Sequence, residues 1–398
     1  MDGALEPRGR ALNRGRAYVL LAPLLTLLAL WFVLPLIGMF GASLDAPGWS
    51  TRHYAHFLGD PLYLGVLARS LLLGVSVVAV TLLLGLPLAY WLARLETRFS
   101  PYVFVAPFFL LFFAFGLFPL VYTAWVSLHS VTLQNTEDMT WVGLDNYSRL
   151  LHDPLFWNAL GNTFTIGVLS TVPQLLMALG LAHVLNYRLR GRTFFRVAML
   201  MPYATSLAAA TIVFAELYGR DYGLINWGLG IFGVHHISWE TGNWTSQIAI
   251  STIVTWRWTG YNALIYLAAM QAVPEDLYEA AAIDGASRWQ QFLKVTIPSL
   301  RPTILFTVVV STIGATQLFG EPLLFGGVSG HRGGSDHQYQ TLGVLLYDQG
   351  WFNFQLGRAA ATAWTMFLII VVAVAVNAFL AARGWNWWHP RERKAARA

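Results

Sequence analysis

Residues 273–302 read VPEDLYEAAAIDGASRWQQFLKVTIPSLRP. Apolar side chains recur there at helical spacing: Leu277, Ala280, Ala281 and Ile283 before Gly285, then Trp289, Phe292, Leu293 and Val295 after it. The spacing predicts two short helices divided by Gly285, with Pro298 and Pro302 stopping the second. A hairpin of this kind keeps an apolar face to bury, either in a groove of another protein or on the membrane surface. Lipid-resting helices usually carry a lysine-rich polar face, whereas this one carries Glu275, Asp276, Glu279 and Asp284. The acidic face favours a protein partner.

The rest of the chain is membrane-like. Of its 398 residues 56% are hydrophobic and 11% charged, against roughly 25% charged in soluble domains. Eight stretches are long and apolar enough to span a bilayer, at about 17–43, 66–93, 102–127, 159–186, 197–218, 247–271, 303–326 and 359–383. With the N-terminus in the cytoplasm, 18 of the 25 lysines and arginines fall on the cytoplasmic side. They cluster in the tails, at Arg94 and Arg98, between Arg188 and Arg196, and at Arg288, Lys294 and Arg301. Both termini are therefore expected inside, and the +5 formal charge needs no nucleic acid to explain it. The first span is too long for the h-region of a cleaved signal. Zero cysteines exclude disulfides and thiolate chemistry, and His235–His236 lack a third ligand at useful spacing.

On these residues the chain resembles the permease subunits of ABC importers. Their EAA loop has the pattern EAA, then Gly, then an apolar residue and Pro, and Glu279, Ala280, Ala281, Gly285, Ile297 and Pro298 match it position for position. The resemblance implies that the first helix of the hairpin couples to a cytoplasmic ATPase. Ala280 and Ala281 would allow close approach, Gly285 would make the turn, and Glu279 would pair with a basic ATPase residue, with Asp284 and Pro298 in the same coupling set. The stretches RGRTFFRVAMLMPYATS, DYGLIN and WRWTGYNALIYLAAMQAVPEDLYEAA resemble sugar permeases of the maltose type over about residues 102–384. The ending FGEPLLF…YQTLGVLLYDQGWFNFQLGRAAATAW is closer to permeases for di- and oligosaccharides. No GxxxxGK[ST] phosphate loop is present, and no span holds the paired carboxylates of a proton relay. ATP and Mg are accordingly expected on a separate ATPase, with no cofactor in this chain.

Sugars bind to aromatic faces and to polar groups turned into a bundle interior. By position relative to the EAA loop, Tyr203 and Tyr261 match sugar-contacting tyrosines of that family, and Gln317 falls where the family places an asparagine. Gly314, at another such asparagine, has lost the side chain. Ser206, Asn262 and Glu321 join the candidates on chemistry alone; each could equally join helices together. Arg257 lies about ten residues into its span, where a lone charge costs a few kcal/mol or more. It should pair with Glu216 or Glu321.

The opening of the permease is written twice. YAHFLGDPLYLGVLARSLLLGV at 54–75 returns as YSRLLHDPLFWNALGNTFTIGV at 147–168, with 8 of 22 positions identical. Pro23, Pro35, Ser43 and Leu44 match Pro107, Pro119, Ser127 and Leu128 at an offset of 84; from Tyr54 the offset is 93, so the second copy has nine more residues in its external loop. The first copy, residues 18–94, resembles polyamine-type permeases more than sugar-type ones. The expected architecture is an all-α polytopic membrane protein of about eight helices. A basic tail at 1–16 precedes an extra helix pair at 17–98, a six-helix permease core at 102–384 with its coupling loop at 273–302, and a basic tail at 385–398. The core alone carries the coupling loop, so the extra pair is either a brace or a passenger. Expected partners are a second homologous permease, an ATPase dimer, an extracytoplasmic sugar-binding protein and lipid. The reading is a sugar importer permease of a bacterial inner membrane. The alternatives are a polyamine permease or a non-transporting scaffold.

Overall fold

The computed structural model describes residues 34–44, 48–93, 100–187, 192–326 and 332–388. Most of the first expected span, the N-terminal tail and the end of the C-terminal tail lie outside them. The described residues open with helices α1 (Leu34–Ser43), α2 (Arg52–Gly59) and α3 (Pro61–Ala93). Helix α4 (Ser100–Leu111) runs through a π-helical turn at Phe112–Leu117 into α5 (Phe118–Ser127). Two antiparallel strands follow, β1 (His129–Thr132) and β2 (Asn135–Trp141), with His129 opposite Trp141. This hairpin is the one small departure from the all-helical expectation among the described residues, and it is where the second copy's longer external loop goes.

Next come α6 (Asp145–His152) and α7 (Pro154–Asn186), then α8 (Arg192–Ala204), α9 (Leu207–Leu217), α10 (Leu224–Ile231) and α11 (Asn243–Gln271). The hairpin expected at 273–302 begins with α12 (Glu275–Ile283) and α13 (Arg288–Gln291). Helices α14 (Arg301–Thr316), α15 (Gly320–Leu324), α16 (Leu342–Tyr347) and α17 (Leu356–Trp388) complete the chain.

Five of these segments are long and apolar enough to cross a membrane: 61–87, 105–127, 154–186, 301–324 and 356–380; the bent pair α8–α9 is a sixth. The span expected at 197–218 is not one rod. It bends by 93° between Ala204 and Leu207. Pro202, inside α8, has no N–H to give to the turn before it. Ser206 then takes a non-helical ψ of 128°, and α9 starts afresh with Ala210 bonded to the Ser206 carbonyl.

Helix α11 is the hub, packed against α7 and α8. It carries Ser246, Gln247, Ser251, Thr255, Thr259 and Asn262 among its buried residues. So polar a helix suits a position enclosed by protein, not one facing lipid. It reaches α8 at Gly260, where an added Cβ would sit only 1.7 Å from the Met199 carbonyl oxygen. Trp256, Tyr266 and Ile253 fill the core beside it.

The duplication is visible in three dimensions. Each copy is an eight-residue helix, an aspartate and a 33-residue helix: α2–Asp60–α3 and α6–Asp153–α7. Asp60 caps the Leu62 N–H at 2.8 Å and Asp153 caps the Leu155 N–H at 2.9 Å. Tyr54 bonds Ser43 at 2.9 Å, and Tyr147 bonds Ser127 at 2.7 Å. Tertiary partners differ. Helix α7 packs on α11 and α14, whereas α3 buries nothing along its apolar length. Helix α1 does reach the core, through Leu36 and Met39 against the α9 side.

Candidate functional site

The coupling hairpin folds as its spacing predicts. Gly285 has φ +81°, and no atom would meet a Cβ there within 4 Å. The left-handed turn, not crowding, is what calls for glycine. The Ala286 and Gly285 N–H groups close the C-terminus of α12 on the Ala281 and Ala282 carbonyls. Ser287 and Gln290 form a reciprocal capping box that starts α13. Pro298 and Pro302 do not stop the second helix. Helical turns continue through 292–299 into α14, with the Ile304 N–H bonded to the Leu300 carbonyl. Pro298 begins a turn and Pro302 sits in the first turn of α14, where a missing N–H costs nothing.

Tyr278 ties the hairpin to the bundle through a 3.0 Å bond to Thr296, and Phe292 is buried behind it. Helix α12 itself buries no residue. Glu279, Ala280 and Asp284 are exposed, as are Leu277 and Ile283, the latter at 86%. Beside them Ala281, Asp284, Gly285, Gln290 and Lys294 line a cleft of about 330 Å³. The result is a rigid turn carrying bare apolar and acidic side chains.

Two of the sugar candidates meet. The Tyr203 and Tyr261 rings stack with centroids 4.7 Å apart and planes 21° from parallel. Trp258, which the sequence reading missed, stands edge-on to both, at 5.1 Å from Tyr203 and 5.9 Å from Tyr261. Its i, i+3 spacing to Tyr261 was the available signal. Tyr203 stays 38% exposed, so the cluster keeps an open ring. It lies at the bend, three residues before Ser206, which is also exposed. Gln317 is exposed at the end of α14. Asn262 is buried, its amide donating to the Trp258 carbonyl at 3.2 Å; it supports the platform from behind.

Arg257 finds the partner its depth demands. Its Nη1 lies 2.9 Å from Glu321 Oε1, with the two side chains 12% and 3% exposed. Glu216 is not that partner: it is exposed at the end of α9 and instead helps burial raise the Glu240 carboxyl above its ordinary pKa. Glu321 is thereby held by the protein and is not turned out as a sugar contact.

A second polar cluster, unforeseen from sequence, closes the end of the bundle near α16. Asn162 donates to the His337 and Gln340 carbonyls and accepts from Gln247 at 2.8 Å. Gln340 and Arg332 both bond Asp348, at 2.9 and 2.8 Å. These bonds pin segment 332–341 onto α7 and α11. Exposed aromatics stand at the start of α10, with Tyr222 fully exposed and Trp227 at 66% beside it.

Known proteins share this architecture. Residues 165–385 match the family described as binding-protein-dependent transport system inner membrane component. The lactose transport system permease protein LacF of Rhizobium radiobacter is 37% identical over 74% of this chain and 94% of that protein. The arabinooligosaccharides transport system permease protein AraP of Halalkalibacterium halodurans is 34% identical over 72% of this chain and 91% of its own. A crystal structure of a bacterial ABC transporter that imports the acidic polysaccharide alginate superposes with a TM-score of 0.59 at 21% identity, covering 71% of this chain and 94% of that one.

Proposed function

The chain belongs to the family of binding-protein-dependent transport system inner membrane components, and from that premise we propose that it forms half of a saccharide pathway through the membrane. It is a multi-pass ABC permease subunit. We infer that its substrates are di- or oligosaccharides. One observation carries the sugar reading: three aromatic rings, Tyr203, Trp258 and Tyr261, pack together at the bend of a broken span, with Tyr203 still open. Rings presented this way suit the apolar faces of pyranoses, and Ser206 and Gln317 offer polar groups for hydroxyls. Relatives that match most of the chain are named for sugars, which favours this reading over a polyamine permease; the polyamine-like pattern stays confined to residues 18–94.

The mechanism is alternating access. A loaded binding protein docks on the exposed aromatic loops outside, two ATPase subunits close on ATP and Mg inside, and α12 carries that movement into the spans. The exposed Ala280 and half-buried Ala281 let an ATPase groove approach the backbone, while Glu279 meets a basic side chain there. Tyr278, bonded to Thr296, passes the displacement towards α14. A second homologous permease faces this one across the pathway, and both termini lie in the cytoplasm, where the arginine-rich segments hold them.

The test is reconstitution of the whole importer in liposomes, measuring ATP hydrolysis stimulated by the binding protein across a panel of oligosaccharides. Glu279→Ala and Gly285→Pro should abolish stimulation while the complex stays assembled. Unchanged stimulation and uptake in both variants would sink the coupling assignment.

A further inference from the structure

Arg257 is the only charged residue in α11, and it stands one turn before Tyr261 and next to Trp258. Residues four apart share a helix face, so Arg257 lies on the same face of α11 as Tyr261. Its Nε is buried without a partner, and its Nη1 is held by Glu321 alone among the described contacts. A planar guanidinium out of bulk water fits carboxylate, sulfonate and phosphate groups through paired N–H donors. Here the protein's own carboxylate takes one N–H of that fork, at Nη1, and balances its charge. Gly320, beside Glu321, packs on the Leu207 side chain, 2.5 Å from where a Cβ would lie. Leu207 begins α9 at the bend, so bend, ion pair and platform are one assembly.

We propose, resting on the saccharide reading above, that Glu321 is a specificity-determining residue: an internal carboxylate that balances Arg257 and restricts the platform to uncharged saccharides. A hydroxyl group next to the pair meets a neutralised site. A uronic acid brings a second carboxylate to a guanidinium whose charge Glu321 already balances, which leaves an excess negative charge in a poorly solvated site. Rejection through a fixed repulsive group is a general route to specificity. Glu321→Gln removes the repulsion and leaves Arg257 free to receive an anion.

The experiment measures equilibrium binding to the purified full complex in detergent, with the binding protein omitted. The probes are lactose, cellobiose, maltose and trehalose, each beside the same disaccharide with one hydroxymethyl group oxidised to a carboxylate. Wild type should favour the neutral member of the pair it binds by at least about tenfold. Glu321→Gln should reverse that preference, through tighter binding of the acid. The double variant Arg257→Gln with Glu321→Gln leaves no buried charge unpaired, and should narrow the preference without reversing it. That variant keeps the idea testable if Glu321→Gln fails to assemble.

Three results overturn the proposal. They are wild type binding both members equally, Glu321→Gln weakening both members alike, or the double variant discriminating as sharply as wild type. If wild type binds no saccharide of either kind, the saccharide reading falls first, and the two failures are told apart.

Discussion

Gly260→Ala is the sharpest test of how the platform is built. The new Cβ would lie 1.7 Å from the Met199 carbonyl oxygen and 2.6 Å from its carbonyl carbon. Carbon and oxygen in even a close C–H···O contact stay about 3.3 Å apart, so α8 and α11 must separate locally by about 1.5 Å. The obstacle is backbone, which cannot rotate away as a side chain could. Overpacking costs about 1–3 kcal/mol where side chains can adjust, and the upper value applies here, equal to roughly a hundredfold in an equilibrium. Met199 lies one turn from Tyr203 on α8, so the same displacement pulls Tyr203 off Tyr261 and loses a stacking contact of about 0.5–1.5 kcal/mol.

Two readouts follow, the thermal midpoint of the complex in detergent and the affinity for whichever disaccharide wild type binds. Gly314→Ala is the control, because nothing lies within 4 Å of its Cβ position. Gly260→Ala should lower both stability and affinity while Gly314→Ala leaves stability unchanged. Equal midpoints and equal affinities for the two variants would refute the helix-crossing argument.

Four further outcomes are expected. Gly285→Ala introduces a Cβ at φ +81° with no steric contact, so its cost is the left-handed backbone alone, about 1–2 kcal/mol; stimulated ATP hydrolysis should fall while sugar binding holds. Partial burial and Glu216 raise the Glu240 pKa. The folded state therefore binds that proton more tightly, and stability declines as pH climbs from the ordinary carboxylate range through the raised value; Glu240→Gln should flatten a melting-point series over that window and melt higher at its alkaline end. Asn162→Leu strips the Gln340 carbonyl of its Asn162 partner, at about 1–3 kcal/mol for a buried group left unpaired, while the His337 carbonyl keeps Asn158 and Gln247 keeps Asn243 and the Gln338 carbonyl; it should loosen segment 332–341 towards protease, whereas Arg69→Leu in the equivalent position of the first copy should not. A chain starting at Ser100 should assemble and transport but melt lower, because α1 no longer packs Leu36 and Met39 on the α9 side; failure to assemble would make the extra pair essential.

What the sequence made legible was local. The turn at Gly285 follows from helical spacing on either side of one glycine, and the need for an Arg257 partner follows from the cost of a buried charge. Which carboxylate answers it was not legible, since Glu216 and Glu321 both end neighbouring spans and only the fold leaves Glu216 exposed and buries Glu321 against Arg257. The bend was hidden because 197–218 is one apolar run, and Pro202 is compatible with a kink or a full break. Pro298 and Pro302 misled for the opposite reason: proline ends a helix from inside but is welcome in a first turn, and sequence does not say which position it holds.

The two copies separate these causes within one molecule. The aspartate caps and Ser–Tyr bonds recur in both because neighbours in sequence make them. The contacts that turn α7 into a bundle helix do not recur, because residues far along the chain supply them. At 93 residues' offset Arg69 replaces Asn162, Val77 replaces Ser170 and Thr81 replaces Gln174. Those three positions on α7 bond Gln247, Thr255 and Ser311 across helices; of them only the Ser170 contact is made by backbone. Helix α3 keeps the shape of a permease helix and lacks those polar groups, so among the described residues of the first copy it is α1, through Leu36 and Met39, that packs on the core.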